Sequence, residues 1–128
     1  MNGFNDKGEK HGSWEQYHDN GNLMSRVNYV NGKASGLFER YWSDGNLWYK
    51  KNYVNGELHG LSESYYIDGN LDYRGNYFNG KLHGLYELYY IDGKISWRVN
   101  YVHGVEHGLS EWYIYSEDIN LRNLEFFL

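Results

Sequence analysis

Apolar and aromatic segments of about nine residues alternate along the chain with pairs of turn-forming residues, the pattern of strands separated by tight turns. One set of turns is Asn20-Gly21, Asp44-Gly45, Asp68-Gly69 and Asp92-Gly93. The other is Asn31-Gly32, Asn55-Gly56, Asn79-Gly80 and His103-Gly104. Asn-Gly and Asp-Gly suit two-residue type I′ hairpin loops, because both central residues there need positive φ. The pattern predicts roughly ten strands in a continuous antiparallel meander, about 45–50 Å long at about 4.8 Å per strand.

The turns recur every 24 residues, and so do other positions. Glycines stand at Gly12, Gly36, Gly60, Gly84 and Gly108, and glutamates at Glu15, Glu39, Glu63, Glu87 and Glu111. Tyrosines stand at Tyr17, Tyr41, Tyr65, Tyr89 and Tyr113. A fixed period of this kind marks a repeat architecture. The expected fold is an all-β, elongated single-layer antiparallel sheet made of five hairpin repeats. The repeats cover about 8–31, 32–55, 56–79, 80–103 and 104–119, with a C-terminal cap at 120–128, all within one domain spanning 1–128.

Two-residue turns fix a testable register. With Asn20-Gly21 as loop, His18 faces Leu23 and Glu15 faces Arg26; one to four periods on, Glu39 faces Lys50, Glu63 faces Arg74, Glu87 faces Arg98 and Glu111 faces Arg122. Every facing residue is a cation, and opposite charges on facing positions stabilise a strand pair. With Asn31-Gly32 and its equivalents as loop, Lys50 faces Leu61 and Tyr53 faces Leu58. Gly36 and Gly60 fall opposite Tyr53 and Tyr77, which suggests rings lying over bare backbone.

This register puts Leu37, Glu39, Tyr41, Lys50 and Asn52 on one face, and Phe38, Trp42, Leu47, Tyr49 and Tyr53 on the other. The second face also holds the columns that vary between repeats, and variation in a fixed frame is where specificity is stored. The candidate partner-binding strip is Trp14, Phe38, Trp42, Tyr49, Tyr66, Tyr73, Tyr86, Tyr90, Trp97 and Trp112, with Trp48 nearby on the opposite side. Tyr and Trp dominate binding hot spots, but the same rings also stack on one another to hold a single-layer sheet. The two roles overlap.

Composition narrows the options. Aromatic residues make up 20% of the 128, mostly as 15 Tyr, which leaves little aliphatic material for a dry core. There is no cysteine, hence no disulfide, thiolate nucleophile or Cys-ligated zinc. The net charge of −5 argues against a general nucleic-acid coat and against anionic bilayers. No signal peptide or membrane span is evident, so the cytoplasm is the expected location. His11, His59, His83 and His107 sit two strands apart, about 9–10 Å, too far to share one ion. They read as turn-flanking residues facing Asn52, Asn76 and Asn100. No metal, cofactor or catalytic constellation is expected.

The segments Asn55-Gly56-Glu57-Leu58-His59-Gly60-Leu61 and Asn79-Gly80-Lys81-Leu82-His83-Gly84-Leu85, followed by Glu87-Leu88-Tyr89-Tyr90-Ile91-Asp92-Gly93, resemble MORN repeats. They look most like the bacterial variant of YwqK-type antitoxin proteins. The resemblance runs from about Gly8 to about Ser116. It departs at Ser35 in the His column, at His103 for Asn, and after Ser116. It implies a hairpin array used for protein or lipid contact, with neutralisation of a partner protein in the antitoxin subset and no catalytic residues.

Three functions follow as expectations. The first is a protein-binding inhibitor or antitoxin, which the Asn-, Lys- and Tyr-rich composition extends to a phage-borne inhibitor such as an anti-CRISPR protein. The others are a lipid-surface scaffold and an aromatic platform for single-stranded nucleic acid. At the C-terminus, Leu121, Leu124, Phe126, Phe127 and Leu128 are too apolar for a free tail. They are expected either to fold over the last hairpin as a cap or to join a partner or a second copy.

Overall fold

In a computed structural model the chain folds into one open antiparallel sheet of consecutive hairpins. The structure describes residues 2–108 and 110–112, and the backbone of 124–126. The strands are β1 (Gly3–Phe4), β2 (Lys10–Tyr17), β3 (Leu23–Val30), β4 (Lys33–Tyr41), β5 (Leu47–Val54), β6 (Glu57–Leu58) and β7 (Gly60–Tyr65), then β8 (Leu71–Phe78), β9 (Lys81–Tyr89), β10 (Ile95–Val102), β11 (Val105–Glu106), β12 (Ser110–Trp112) and β13 (Leu124–Phe126). β6 and β7 pair with the same strand, β5, and act as one strand interrupted at His59; β11 and β12 do the same against β10.

The two turn types differ. Asn31, Asn55, Asn79 and His103 have φ of 49–50°, with φ of 82–83° at the glycines that follow, as a type I′ turn requires. The other set is not type I′, because there only the glycine has positive φ. The Gly21 N–H donates to His18 O (2.9 Å) and the His18 N–H to Asn22 O (2.8 Å), closing a three-residue loop. The Asn20 side chain accepts from the Asn22 N–H, and Asp44, Asp68 and Asp92 do the same in their repeats. That local bond favours a type I turn, with Gly in the left-handed position after it.

A three-residue loop shifts the register, and a bulge shifts it back. Tyr17 pairs with Leu23, yet Gln16 pairs with Ser25, so Met24 is the extra residue. Trp48, Asp72 and Ser96 are its equivalents. His18 therefore lies opposite Asn22 and not Leu23. Beyond the bulge, Glu15↔Arg26 and its successors pair as charge complementarity demands.

A second irregularity follows each type I′ turn. Tyr53 pairs with Leu58, but Lys50 pairs with Glu63 and not with Leu61. The slack is taken up at His59-Gly60, where Gly60 has φ +93°. Gly12, Gly36, Gly84 and Gly108 share this conformation. The glycine column thus exists to permit a left-handed kink. Gly36 and Gly60 do face Tyr53 and Tyr77, but no ring atom lies within 4 Å of where a Cβ would stand. The positive φ is by itself a reason for glycine at these positions.

The edges are short. At the first, β1 pairs only at Gly3 and Phe4, and the Asn2 side chain continues the pairing. Its Nδ2 donates to Glu15 O (3.2 Å), and its Oδ1 accepts from the Glu15 N–H (2.7 Å). At the other, β13 adds to β12 within the sheet plane, with Glu111 opposite Glu125 and not opposite Arg122. Leu124 and Phe126 belong to β13, whereas Leu121 and Phe127 lie outside the described residues. Among the described residues only Val27 and Val99 are buried apolar side chains, so there is no dry core.

Candidate functional site

Both irregularities serve one outcome, a row of charge running across the whole sheet. Successive strand pairs place Glu15, Arg26, Glu39, Lys50, Glu63, Arg74, Glu87, Arg98 and Glu111 side by side. Inner carboxylates thus meet a base on each side, twice what one turn type alone implies. Glu63 accepts from Arg74 Nε (3.0 Å) and sits 3.4 Å from Lys50 Nζ. Arg98 Nη2 reaches Glu111 at 3.2 Å. The tyrosine column completes the row: Tyr17, Tyr41 and Tyr65 hydroxyls donate to Glu15, Glu39 and Glu63 at 3.0–3.1 Å.

Burial pulls the Glu63 carboxyl upward, but hydrogen bonds from Arg74 and Tyr65 and the charge of Lys50 outweigh it and leave it below the usual range. Glu15 is lowered by its bonds from Arg26 and Tyr17. The acids lie low and the cations stand out: Arg74 is 45% exposed over Glu63 at 7%.

The opposite face carries the aromatic candidates. Here the bulge changes two assignments. Leu47 pairs with Tyr41, so it lies on the charge-row face and not with Phe38. Trp48, the bulged residue, stacks on Trp42 at 4.1 Å between ring centroids, so it belongs to the aromatic face and not to the other. Alternation alone misses Trp48; a bulge re-aims the side chain it displaces.

The rings form separate clusters. Trp14 makes edge contacts with Phe4 (5.2 Å) and Tyr29 (6.1 Å), and Lys10 Nζ lies 4.6 Å from the Trp14 ring centroid. Trp42, Trp48, Tyr49 and Phe38 form the second cluster, with Arg40 over Trp48. Tyr73, Tyr86, Trp97 and Trp112 form the third, ending in a 4.8 Å stack of Trp97 on Trp112. Ser62 and Ser64 separate the last two; both are buried. Tyr66 donates its hydroxyl to Tyr89 O (2.7 Å), as His18 Nε2 contacts Tyr41 O (3.0 Å) two repeats earlier in the same column. Tyr90 is half-buried in that same column. Burial pushes the Tyr73 hydroxyl up to about 12. All ten candidates share this side or its turn edge, and all but Trp112 are half-buried against neighbours.

Exposed apolar side chains concentrate elsewhere. Val30, Val54, Phe78 and Val102 occupy one column, 24 residues apart, on the charge-row face near the type I′ turns. Leu37 and Leu85 lie between that column and the charges. The histidines support these turns: the amides of Asn31, Asn79 and His103 donate to Nδ1 of His11, His59 and His83 (3.2–3.4 Å). Backbone bonds also tie His59 to Asn52 and His107 to Asn100. Among the described residues no three His, Asp or Glu gather to hold a metal, and no helix is long and apolar enough to cross a membrane.

The fold and its two faces define an open array of β-hairpin repeats. The family of the MORN repeat variant matches residues 10–31, 34–55 and 58–79, together just over half of the chain. This protein belongs to that family, whose repeats often serve as protein- or membrane-binding modules and are not typically catalytic. No curated protein matches. Among solved structures the chain is similar to one from "Crystal structure of accessory secretory protein 1,2 and 3 in Streptococcus pneumoniae", with 14% identity and a TM-score of 0.42. The match covers 87% of this chain and spans about a fifth (20%) of that one.

Proposed function

We propose that this protein is a non-catalytic module that binds another protein and neutralises it by occupying its surface, in the manner of an inhibitor or antitoxin. The observation that supports this is the repeated, register-locked display of large apolar side chains. Val54 is 52% exposed and Phe78 47%, on a sheet whose charge row fixes their positions. Exposed apolar patches rimmed by polar groups mark interaction sites. The half-buried rings of Trp42, Tyr49 and Trp97 give the other face a second set of contacts, and β13, last in the order of described strands, gives a route to a homodimer through edge pairing.

The test is affinity capture from the native host with cross-linking and mass spectrometry. The expected result is a stoichiometric protein partner, with cross-links on one face of the sheet. Recovery of no protein above a scrambled-bait control overturns the reading. Sedimentation of the free chain decides the dimer.

A further inference from the structure

The charge row leaves Arg26, Lys50 and Arg74 partly exposed above its carboxylates. Arg74 engages Glu63 through Nε (3.0 Å), and Arg26 engages Glu15 the same way (3.1 Å) while its Nη1 lies 4.0 Å from Glu39. A guanidinium has five N–H donors in a planar fork. Arg74 bonds Glu63 through Nε, has Glu87 opposite it on the next strand, and still leaves 45% of its side chain exposed. Lys50, between them, is 38% exposed. Buried Glu63 beside Lys50 and Arg74, and half-buried Glu15 and Glu39 beside Arg26, therefore orient these cations without covering them, the arrangement that recognises a carboxylate.

Parallel to this row, four residues along each strand, runs the apolar column Val30, Val54 and Phe78. We propose that this face holds an extended segment of the partner protein that is both acidic and apolar. Its carboxylates lie on Arg26, Lys50 and Arg74, and its apolar side chains on Val30, Val54 and Phe78. The inference rests on the protein-binding function above and deepens it.

Spacing favours one backbone form. Equivalent residues of successive repeats lie two strands apart, about 9.6 Å. A polyproline II chain advances about 9.3 Å per turn of three residues, so every third residue meets the same column. A β-strand repeats its face about every 6.8 Å and falls out of step. An α-helix returns after seven residues, about 10.5 Å, and loses about 1 Å per repeat. Charge excludes wider ligands. The chain carries a net −5, and the loops of Asp44, Asp68 and Asp92 border the sheet. A duplex or an anionic bilayer would meet those acids, whereas a slim peptide stays over the cations.

Fluorescence anisotropy of the full chain with a labelled (Glu-Leu-Pro)5 peptide tests this, against (Lys-Leu-Pro)5, (Glu-Ser-Pro)5, phosphatidylserine vesicles and a single-stranded oligonucleotide. Saturable binding of the first peptide is expected, weakened about tenfold from 0.05 to 0.5 M salt. Arg74→Lys keeps a cation for Glu63 but loses the fork, and is expected to weaken binding about three- to tenfold. Phe78→Ser, at an exposed site, is expected to weaken it about tenfold. Circular dichroism confirms that both variants fold. Equal binding of the lysine peptide overturns the inference, as do unchanged affinities in both variants, tighter binding of vesicles or oligonucleotide, or no binding at millimolar peptide. If a captured partner cross-links at Trp42 and Trp97 instead, the protein-binding function stands and this face falls.

Discussion

Val99, paired with Tyr86 on the aromatic face, is 1% exposed; Phe78, on the other side of the sheet, is 47% exposed. A one-layer sheet has no second layer to cover it, and its two faces handle this differently. On one, wide rings lie over small or slim neighbours such as Ser62, Gly75 and Val99 and shield them. On the other, a row of ion pairs keeps register, and the apolar residues beside it stay in water. The face richest in rings is thus largely occupied with itself, while the charged face keeps apolar surface to offer.

The largest expected effect separates the faces directly. Val99→Asp buries a carboxylate with no cation paired to it on its face among the described residues, and is expected to cost at least about 4 kcal/mol or prevent folding. Leu85→Asp, at a 37% exposed position on the charge-row face, is expected to stay within about 0.5 kcal/mol. Urea unfolding followed by tryptophan fluorescence measures both. Comparable losses would erase the contrast between the faces.

The charge row itself is sharpened by pH. Glu63 holds its proton less tightly when folded, so its contribution is present above the unfolded carboxylate range and is lost as pH falls through the lower, folded value. Stability of the native chain should therefore drop on acidification. Glu63→Gln is expected to cost about 1–3 kcal/mol at neutral pH, since the group is buried and charge-paired, and to flatten part of the acid slope. An unchanged slope in the variant would show that the row does not act through this carboxylate.

The repeat, the meander and the Glu-to-base pairing across the loop are legible in the amino-acid sequence, because they depend on period, on Gly at turns and on charge. The row's second half is not. Lys50 falls opposite Glu63 only because Gly60 kinks the strand, and a two-residue slip is invisible to a rule that counts outward from Asn55-Gly56. Trp48 was hidden for a related reason. A two-residue loop and a three-residue loop plus a bulge give the same register at Glu39, but they aim residue 48 at opposite faces. The column of Val30, Val54, Phe78 and Val102 went unread, because its exposure depends on which face the rings shield.

Two glycines probe the kink. Gly84, at φ +102°, forces any side chain into strain, and Gly84→Ala is expected to cost about 1–2 kcal/mol. Gly75 is not left-handed; a Cβ there would meet Leu82 at 3.4 Å and Tyr86 at 3.6 Å. Gly75→Ala is expected to lie between neutral and about 0.5 kcal/mol stabilising, because it narrows the unfolded ensemble while adding ordinary contact beneath the rings. Opposite signs in thermal unfolding support the kink as the reason for the glycine column, and equal costs refute it.

The smallest difference lies within the aromatic face. Trp97 donates its indole N–H to the Ser110 hydroxyl, whereas the Trp42 N–H is buried with no partner. Its column equivalents His18 and Tyr66 both reach a carbonyl on the following hairpin, so Trp42 stands where a polar tip has a task but does not perform it. Replacing each Trp by Phe removes similar ring area, but only at Trp97 does it strand a buried oxygen. Trp97→Phe is therefore expected to cost about 1 kcal/mol more than Trp42→Phe in urea unfolding. The stack of Trp42 on Trp48 sets what remains of the Trp42 loss, and a Trp48→Ala background should reduce it further. If Trp42→Phe proves the costlier of the two, its N–H has a partner in solution, and the strongest candidate is the carbonyl of Tyr65, the residue that corresponds to Tyr41 and Tyr89 in the neighbouring repeats.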